Sequence, residues 1–174
     1  TIAANYSDTA VNLAAAFSGI TTHTGNLTIS EGSTATIAEL VTINAATAGT
    51  VTLSTETIAA NYSDTAVNLA AAFSGITTHT GTIAITGTNP TITQLNNISG
   101  ATSGVVTATI SGTATNLATL TTASTDAITI TISDGVAATI AELVTINNAT
   151  SGTVTLNSQT IAANYSDTAV NLAA

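Results

Sequence analysis

Six short runs along the chain alternate apolar residues with threonine or another small residue. They are Leu27-Thr28-Ile29-Ser30, Val51-Thr52-Leu53-Ser54, Ile83-Ala84-Ile85-Thr86, Val106-Thr107-Ala108-Thr109, Ile128-Thr129-Ile130-Thr131 and Val154-Thr155-Leu156-Asn157. A period of two predicts strands buried on one face. Ile29, Leu53, Ile85, Ile130 and Leu156 are expected to share that face, with the intervening threonines on the other. Gly25, Gly49, Gly81, Gly104 and Gly152 precede five of the runs and read as turn glycines, while Asp126 takes the equivalent place before Ile128. The runs start 24, 32, 23, 22 and 26 residues apart.

Between the runs the period changes. Ile37, Leu40, Val41 and Asn44 follow the spacing of one helical face, as do Val11, Ala14 and Ala15. Ser7-Asp8-Thr9, Ser63-Asp64-Thr65, Ser111-Gly112-Thr113 and Ser133-Asp134-Gly135 stand before such segments. Short helices are therefore predicted at Thr9–Phe17, Ile37–Asn44, Thr65–Phe73 and Ile140–Asn147. Ser7, Ser63 or the following aspartate is expected to cap them, since a short side-chain oxygen accepts the first free helical N–H groups. Tyr6, Tyr62 and Tyr165 precede the caps, either as hydrophobic staples against the helix or as exposed rows that make lateral contacts. The unit reads as cap, short helix, turn, strand. The β-branched content of ELVTIN and ITITIS keeps an all-β alternative open. The TIAANY stretch lengthens the 32-residue step and reads as an added strand or an outward loop.

Exact repetition sets the scale of this unit. TIAANYSDTAVNLAAAFSGITTHTG occupies Thr1–Gly25 and again Thr57–Gly81, and its first fifteen residues return at Thr160–Ala174. ATIAELVTIN occurs at Ala35–Asn44 and Ala138–Asn147. Ordering one such unit costs more conformational entropy than its few apolar side chains return, so neighbours must supply the remaining burial. The predicted fold class is an α/β solenoid: stacked coils of short helix plus parallel β-strand, with an all-β solenoid as the alternative. Residues 1–174 are expected to form one continuous array of about seven coils of 22–32 residues. Neither end carries a signal peptide and both cut through a repeat, which reads as an excerpt of a longer polypeptide. The expected product is a rod that grows without closing, rising about 4.8 Å per coil.

Composition narrows the function. The 174 residues include no lysine or arginine, nine acids and no cysteine, for a formal net charge of −9. Without cations the chain lacks the groups that displace phosphate counterions, which argues against nucleic acid and anionic membrane surfaces. Thr, Ser, Asn or Gly interrupts every apolar run before it could span a bilayer, so no membrane insertion is expected. Without cysteine there are neither disulfides nor thiolate metal sites.

No residue is assigned a catalytic, cofactor-binding or metal-binding role. Ser, His and Asp are present, but at repeated positions, which suits a repeated structural task better than a single triad. His23 and His79 sit in identical THT turns and read as surface histidines, too far apart to share an ion. Asp8, Asp64 and Asp167 share the context NYSDTA. They read as helix caps, with a cation-binding carboxylate row as the alternative. Glu39 and Glu142 are expected to face solvent. Asn-x-Ser/Thr at Asn5, Asn26, Asn61, Asn97, Asn148 and Asn164 matches the frequency of those residues and does not argue for glycosylation. Tolerance of chelators is expected.

SDTAVNLAAAF, SGTATNLATL and TIAELVTINAATAGTVT resemble the Thr/Ala-rich repeat tracts of giant secreted bacterial proteins, especially cyanobacterial and proteobacterial haemolysin-type surface proteins and adhesins. The resemblance covers most of the chain and implies an extracellular or cell-surface location. The calcium-binding Gly-Gly-x-Gly-x-Asp nonapeptides that accompany such tracts are absent, so calcium binding is not carried over. The expected function is that of a structural repeat segment of a secreted filament, sheath or surface layer. Its expected partner is itself, end to end or laterally. The alternative is an adhesin stalk that touches glycan or a mineral or ice surface. No enzymatic activity is expected.

Overall fold

A computed structural model describes residues 3–87 and 89–167. Its strands are β1 (Tyr6–Asp8), β2 (Leu27–Ile29), β3 (Val51–Thr52), β4 (Tyr62–Thr65), β5 (Ile83–Thr86), β6 (Val106–Gly112), β7 (Ala127–Ile132) and β8 (Val154–Thr155). Its helices are α1 (Ala10–Phe17), α2 (Ile37–Ala46), α3 (Thr55–Ala59), α4 (Ala66–Ala72), α5 (Ile92–Ala101), α6 (Ala114–Leu117), α7 (Ile140–Asn148) and α8 (Ser158–Ala162). All six alternating runs contain strands, and the four predicted helices stand within two residues of their expected bounds. The chain is α/β, which sets aside the all-β alternative.

The strands form two parallel sheets, β1-β2-β3 and β4-β5-β6-β7-β8. Register partners lie 20 to 24 residues apart, from Thr107↔Ala127 to Leu27↔Val51. Parallel pairing demands a crossover, and a helix lies within each connection. Helices α1, α2, α4 and α5 pack in succession, and α6 packs on α7. The core between helices and strands holds Leu13, Leu40, Leu69, Leu95 and Leu117 from the helices, and Leu27, Ile83, Val106 and Ile130 from the strands. Ile29, Leu53, Ile85 and Ile130 are buried and Leu156 is half-buried, while Thr52, Thr107, Thr129 and Thr155 are exposed. The expected division of faces therefore holds.

The 32-residue step contains both a helix and a strand. After β3 the chain turns through α3, capped by Ser54, and then extends as β4. β3 pairs only with β2, and β4 only with β5, so the sheet breaks at this insertion. The TIAANY stretch is thus a helical turn followed by an added strand. In the first copy, Ser7 and Asp8 likewise belong to β1.

The expected caps need correction. Threonine, not the preceding serine or aspartate, caps α1 and α4: the hydroxyls of Thr9 and Thr65 accept the N–H groups of Asn12 and Asn68. Ser7 and Ser63 are held in extended backbone by strand pairing and lie too far upstream. Thr36, Thr91 and Thr139 cap α2, α5 and α7 in full capping boxes with Glu39, Gln94 and Glu142. Of the last repeat copy, Thr160–Asp167 is described, and the helical segment expected to follow lies outside the described residues.

Candidate functional site

A Thr-x-Gly turn enters the later strands and ties each to the one before. The Thr47 hydroxyl donates to the Gly25 carbonyl (2.6 Å) and accepts the Gly49 N–H (2.9 Å). Thr102 does the same between Gly81 (2.8 Å) and Gly104 (2.9 Å). Thr150 does so between Ile128 (2.7 Å) and Gly152 (2.8 Å). The glycines of these turns are not there for φ, because the left-handed glycines are Gly19, Gly32, Gly75 and Gly87. They are there for space. A Cβ on Gly49 would strike the carbonyl of Gly25, and one on Gly104 the carbonyl of Gly81. Gly25 and Gly81 are pressed in turn against the carbonyls of Ala4 and Ala60. Backbone here packs on backbone.

His23-Thr24-Gly25 and His79-Thr80-Gly81 occupy the same turn. His23 bridges to Thr47, and His79 to Thr102, in parallel register. Both histidines are only 1% exposed, which corrects their reading as surface residues. Each ring lies in an aromatic cage. His79 is 4.9 Å from Phe73 and 5.4 Å from Tyr62 between ring centroids, and His23 is 5.0 Å from Phe17 and 5.6 Å from Tyr6. Neither ring nitrogen of either histidine has a hydrogen-bond partner. Burial pushes the His79 imidazole below its ordinary value of 6.5, and the Thr57 backbone acts in the opposite direction. Burial also raises the Tyr62 hydroxyl to about 12, helped by the charge of Glu39 and opposed by the Thr57 side chain. The clue lay in the alignment of H-T-G with T-A-G and T-S-G: a position facing inward as threonine faces inward as histidine.

The tyrosines pack against the far ends of their helices, not the first turn. Tyr6 meets Phe17, and Tyr62 meets Phe73, each at 5.5 Å. The hydroxyls of Tyr62 and Tyr165 reach the carbonyls of Ala35 (2.8 Å) and Ala138 (2.7 Å). A staple would have met the helix near its N-terminus, so this role is replaced by one at the helix end and in the neighbouring coil.

Asp8 and Asp64 brace the caps from one residue upstream. The Asp8 carboxylate accepts the Thr9 N–H (2.7 Å) and the Asn12 amide (2.9 Å), and Asp64 accepts Thr65 (2.6 Å) and Asn68 (2.9 Å). These bonds hold both carboxyls below the ordinary range: the Asn12 side chain acts most on Asp8, and the Thr65 backbone most on Asp64. Asp167 also has an interaction partner. Glu39 and Glu142 are half-buried, because each folds back onto its cap, and Glu142 also accepts the Thr115 hydroxyl (2.8 Å). Asp126 is buried, and three donors satisfy it: Ser99 (2.6 Å), Val106 N–H (2.8 Å) and Ala123 N–H (3.1 Å). Among the described residues no group of three or more His, Asp or Glu side chains could hold a metal ion. No hydrogen bond joins either imidazole to a serine or an aspartate, so the components of a hydrolytic triad are not brought together.

The outer sheet face carries hydroxyls in register: Ser7, Thr28 and Thr52 in the first sheet, and Ser111, Thr131 and Thr155 in the second, beside Thr109 and Thr129. Ala84 and Ala127 interrupt the rows. Of the six sequon asparagines, Asn5, Asn26 and Asn61 spend their side-chain oxygens on the N–H groups of Asn26, Thr50 and Thr82. Asn97, Asn148 and Asn164 are exposed. Among the described residues no helix is long and apolar enough to cross a membrane. No protein-family model, curated protein or solved structure matches this chain.

Proposed function

We propose that the chain is a structural segment of an extracellular filament, sheath or surface layer, built as an α/β solenoid of stacked coils, with no enzymatic activity. One observation carries this reading: equivalent residues of successive repeats come into parallel register, threonine above histidine and glycine above glycine. A repeat that pairs with its neighbour through the same positions each time extends along an axis without closing. Acids spent on caps and histidines spent on packing leave little for chemistry. The partner is the protein itself, and the resemblance to secreted Thr/Ala-rich tracts supports a surface location. Electron microscopy of native material is the test. Rods whose coils rise about 4.8 Å are expected, and discrete, capped monomeric particles would overturn the proposal.

A second reading is an adhesin stalk that touches glycan or a mineral or ice surface. The outward hydroxyl rows favour it, and the alanines within them limit how far the array extends. Retention of the chain on ice or on a glycan array, lost when Thr109 and Thr129 are both replaced by lysine, would favour this reading over the filament.

A further inference from the structure

One position in the turn decides how a coil is tied to the coil before it. At the turns entering β3, β6 and β8 it holds Thr47, Thr102 and Thr150. Each hydroxyl donates to a carbonyl of the preceding coil and accepts an N–H of its own turn. At the turn entering β5 it holds His79, whose ring makes neither bond, because both nitrogens lack a partner. What remains there is backbone bonding. The Thr80 and Gly81 N–H groups donate to the Ile58 carbonyl (2.9 and 3.2 Å), and the His79 N–H donates to Ala101 (3.2 Å). The Ser103 N–H donates to the His79 carbonyl (3.0 Å). The exposed Thr80 hydroxyl adds one bond to Ile58 (3.2 Å).

The cage around His79 suits a neutral ring and not a cation. The residue is 1% exposed, so an imidazolium would bury a charge and two unpaired N–H donors. The rings of Tyr62 and Phe73 attract a cation, but they accept no conventional hydrogen bond from it. No acid on the surrounding elements supplies one either. On β4, Tyr62 keeps its proton up to about 12 and donates to Ala35, while Asp64 is bound to Thr65 and Asn68 at the start of α4. On α3, Glu56 accepts the Gly32 N–H, and on α2, Glu39 accepts the Thr36 N–H. α4, β5 and α5 contain no ionisable side chain.

We infer that His79 is an acid-operated latch between coils: a proton draws the imidazole out of its cage and opens the turn at Ile58 and Ala101, while the threonine-tied turns stay closed. Once open, the ring meets water, which accepts from both N–H groups. Opening begins as the pH falls through the ordinary 6.5 of a solvated imidazole and levels off below the lowered value of the caged one. The latch needs only parallel register within one chain, and so operates equally in a filament segment and in a stalk.

Residue-resolved amide hydrogen exchange on the full-length chain tests this, with protection corrected for the intrinsic effect of pH. The Thr80 and Ser103 N–H groups report on the His79 turn. The Ile130 N–H, bonded to the Thr153 carbonyl (2.9 Å) beside the Thr150 turn, is the control. Between about pH 7.5 and pH 5.5, protection at Thr80 and Ser103 should fall up to about tenfold, the ratio of charged to neutral imidazole in an opened turn, while Ile130 keeps its protection. His79→Thr, which installs the residue of the other turns, should remove the fall. His79→Phe fills the cage without titrating and should do the same, so either variant serves if the other fails to fold. Unchanged protection at Thr80 and Ser103 overturns the latch. An equal fall at Ile130 also overturns it, because the whole array then opens together. So does a fall that persists in a folded variant lacking His79.

Discussion

A methyl group on Gly104 would lie 2.6 Å from the carbonyl carbon of Gly81, which belongs to backbone that cannot swing aside. Gly104→Ala is therefore expected to cost about 3 kcal/mol in urea unfolding. Gly19, at φ +76° with nothing near its missing Cβ, is the control: Gly19→Ala should cost about 1 kcal/mol from left-handed strain alone. Equal costs would show that the close approach is absent. Gly104, with Gly25, Gly49, Gly81 and Gly152, was legible in the sequence as punctuation before strands. The reason for them was not, because contact between distant backbones leaves no local pattern. The burial of His79 is hidden for a related cause: its THT context alone matches an exposed turn, and only alignment with the threonine turns of neighbouring repeats shows that the position faces inward. Its burial also gives a pH dependence. With its folded pKa below the ordinary 6.5, His79 takes up a proton more readily when unfolded. Stability should hold above about pH 6.5 and fall as the pH drops below it, levelling off once the folded pKa is passed. Threonine fills this turn position at Thr47 and Thr102, so His79→Thr should keep the fold and reduce the fall between about pH 7.5 and pH 5.5. An unchanged pH profile in that variant would place the sensitivity elsewhere.

Six of the eight described helices start where threonine stands three residues before an acid or amide, while Ser54 and Asn157 cap α3 and α8. α7 is the clearest case, with Thr139 and Glu142 exchanging bonds. Thr139→Ala should lower stability by about 1 kcal/mol. The Glu142 carboxyl is held below its ordinary 4.5, first by the Thr139 backbone and then by the hydroxyls of Thr115 and Thr139. Its contribution is present above that value and is lost as the pH falls through the folded pKa. α5 already uses glutamine at this position, since Gln94 completes the box with Thr91. Glu142→Gln should accordingly match the parent near neutrality and hold more helix below about pH 4, as read by circular dichroism. If the variant loses helix at neutral pH, the capping assignment fails. Capping boxes also explain what the sequence showed and hid at this scale. Helices α1, α2, α4 and α7 carried enough apolar spacing to be seen. α5 did not: Gly100, Ser99 and two asparagines dilute its pattern, and only Thr91 and Gln94 mark its start. The break between β3 and β4 was visible as a long step. Its content, a five-residue helix and a strand, is set by pairing with β5 and by the Ser54 cap, which spacing does not encode.

For the molecule as a whole, consecutive repeats lie in parallel with equivalent positions together. Exact duplication made that arrangement readable, because identical units that cannot fold alone must share one mode of contact. Disulfide trapping tests it directly, and the absence of native cysteine makes each introduced pair unambiguous. Thr109 and Thr129 are register partners on the outer face of β6 and β7, while Thr131 is partnered with Ser111. Partnered positions on adjacent strands sit within the span a disulfide bridges, and positions displaced by two residues do not. Under mild oxidation the Thr109→Cys/Thr129→Cys chain should form an intramolecular bond readily, and the Thr109→Cys/Thr131→Cys chain should remain reduced. Preferential bridging of the second pair, or equal bridging of both, would contradict the parallel register on which the proposed rod depends.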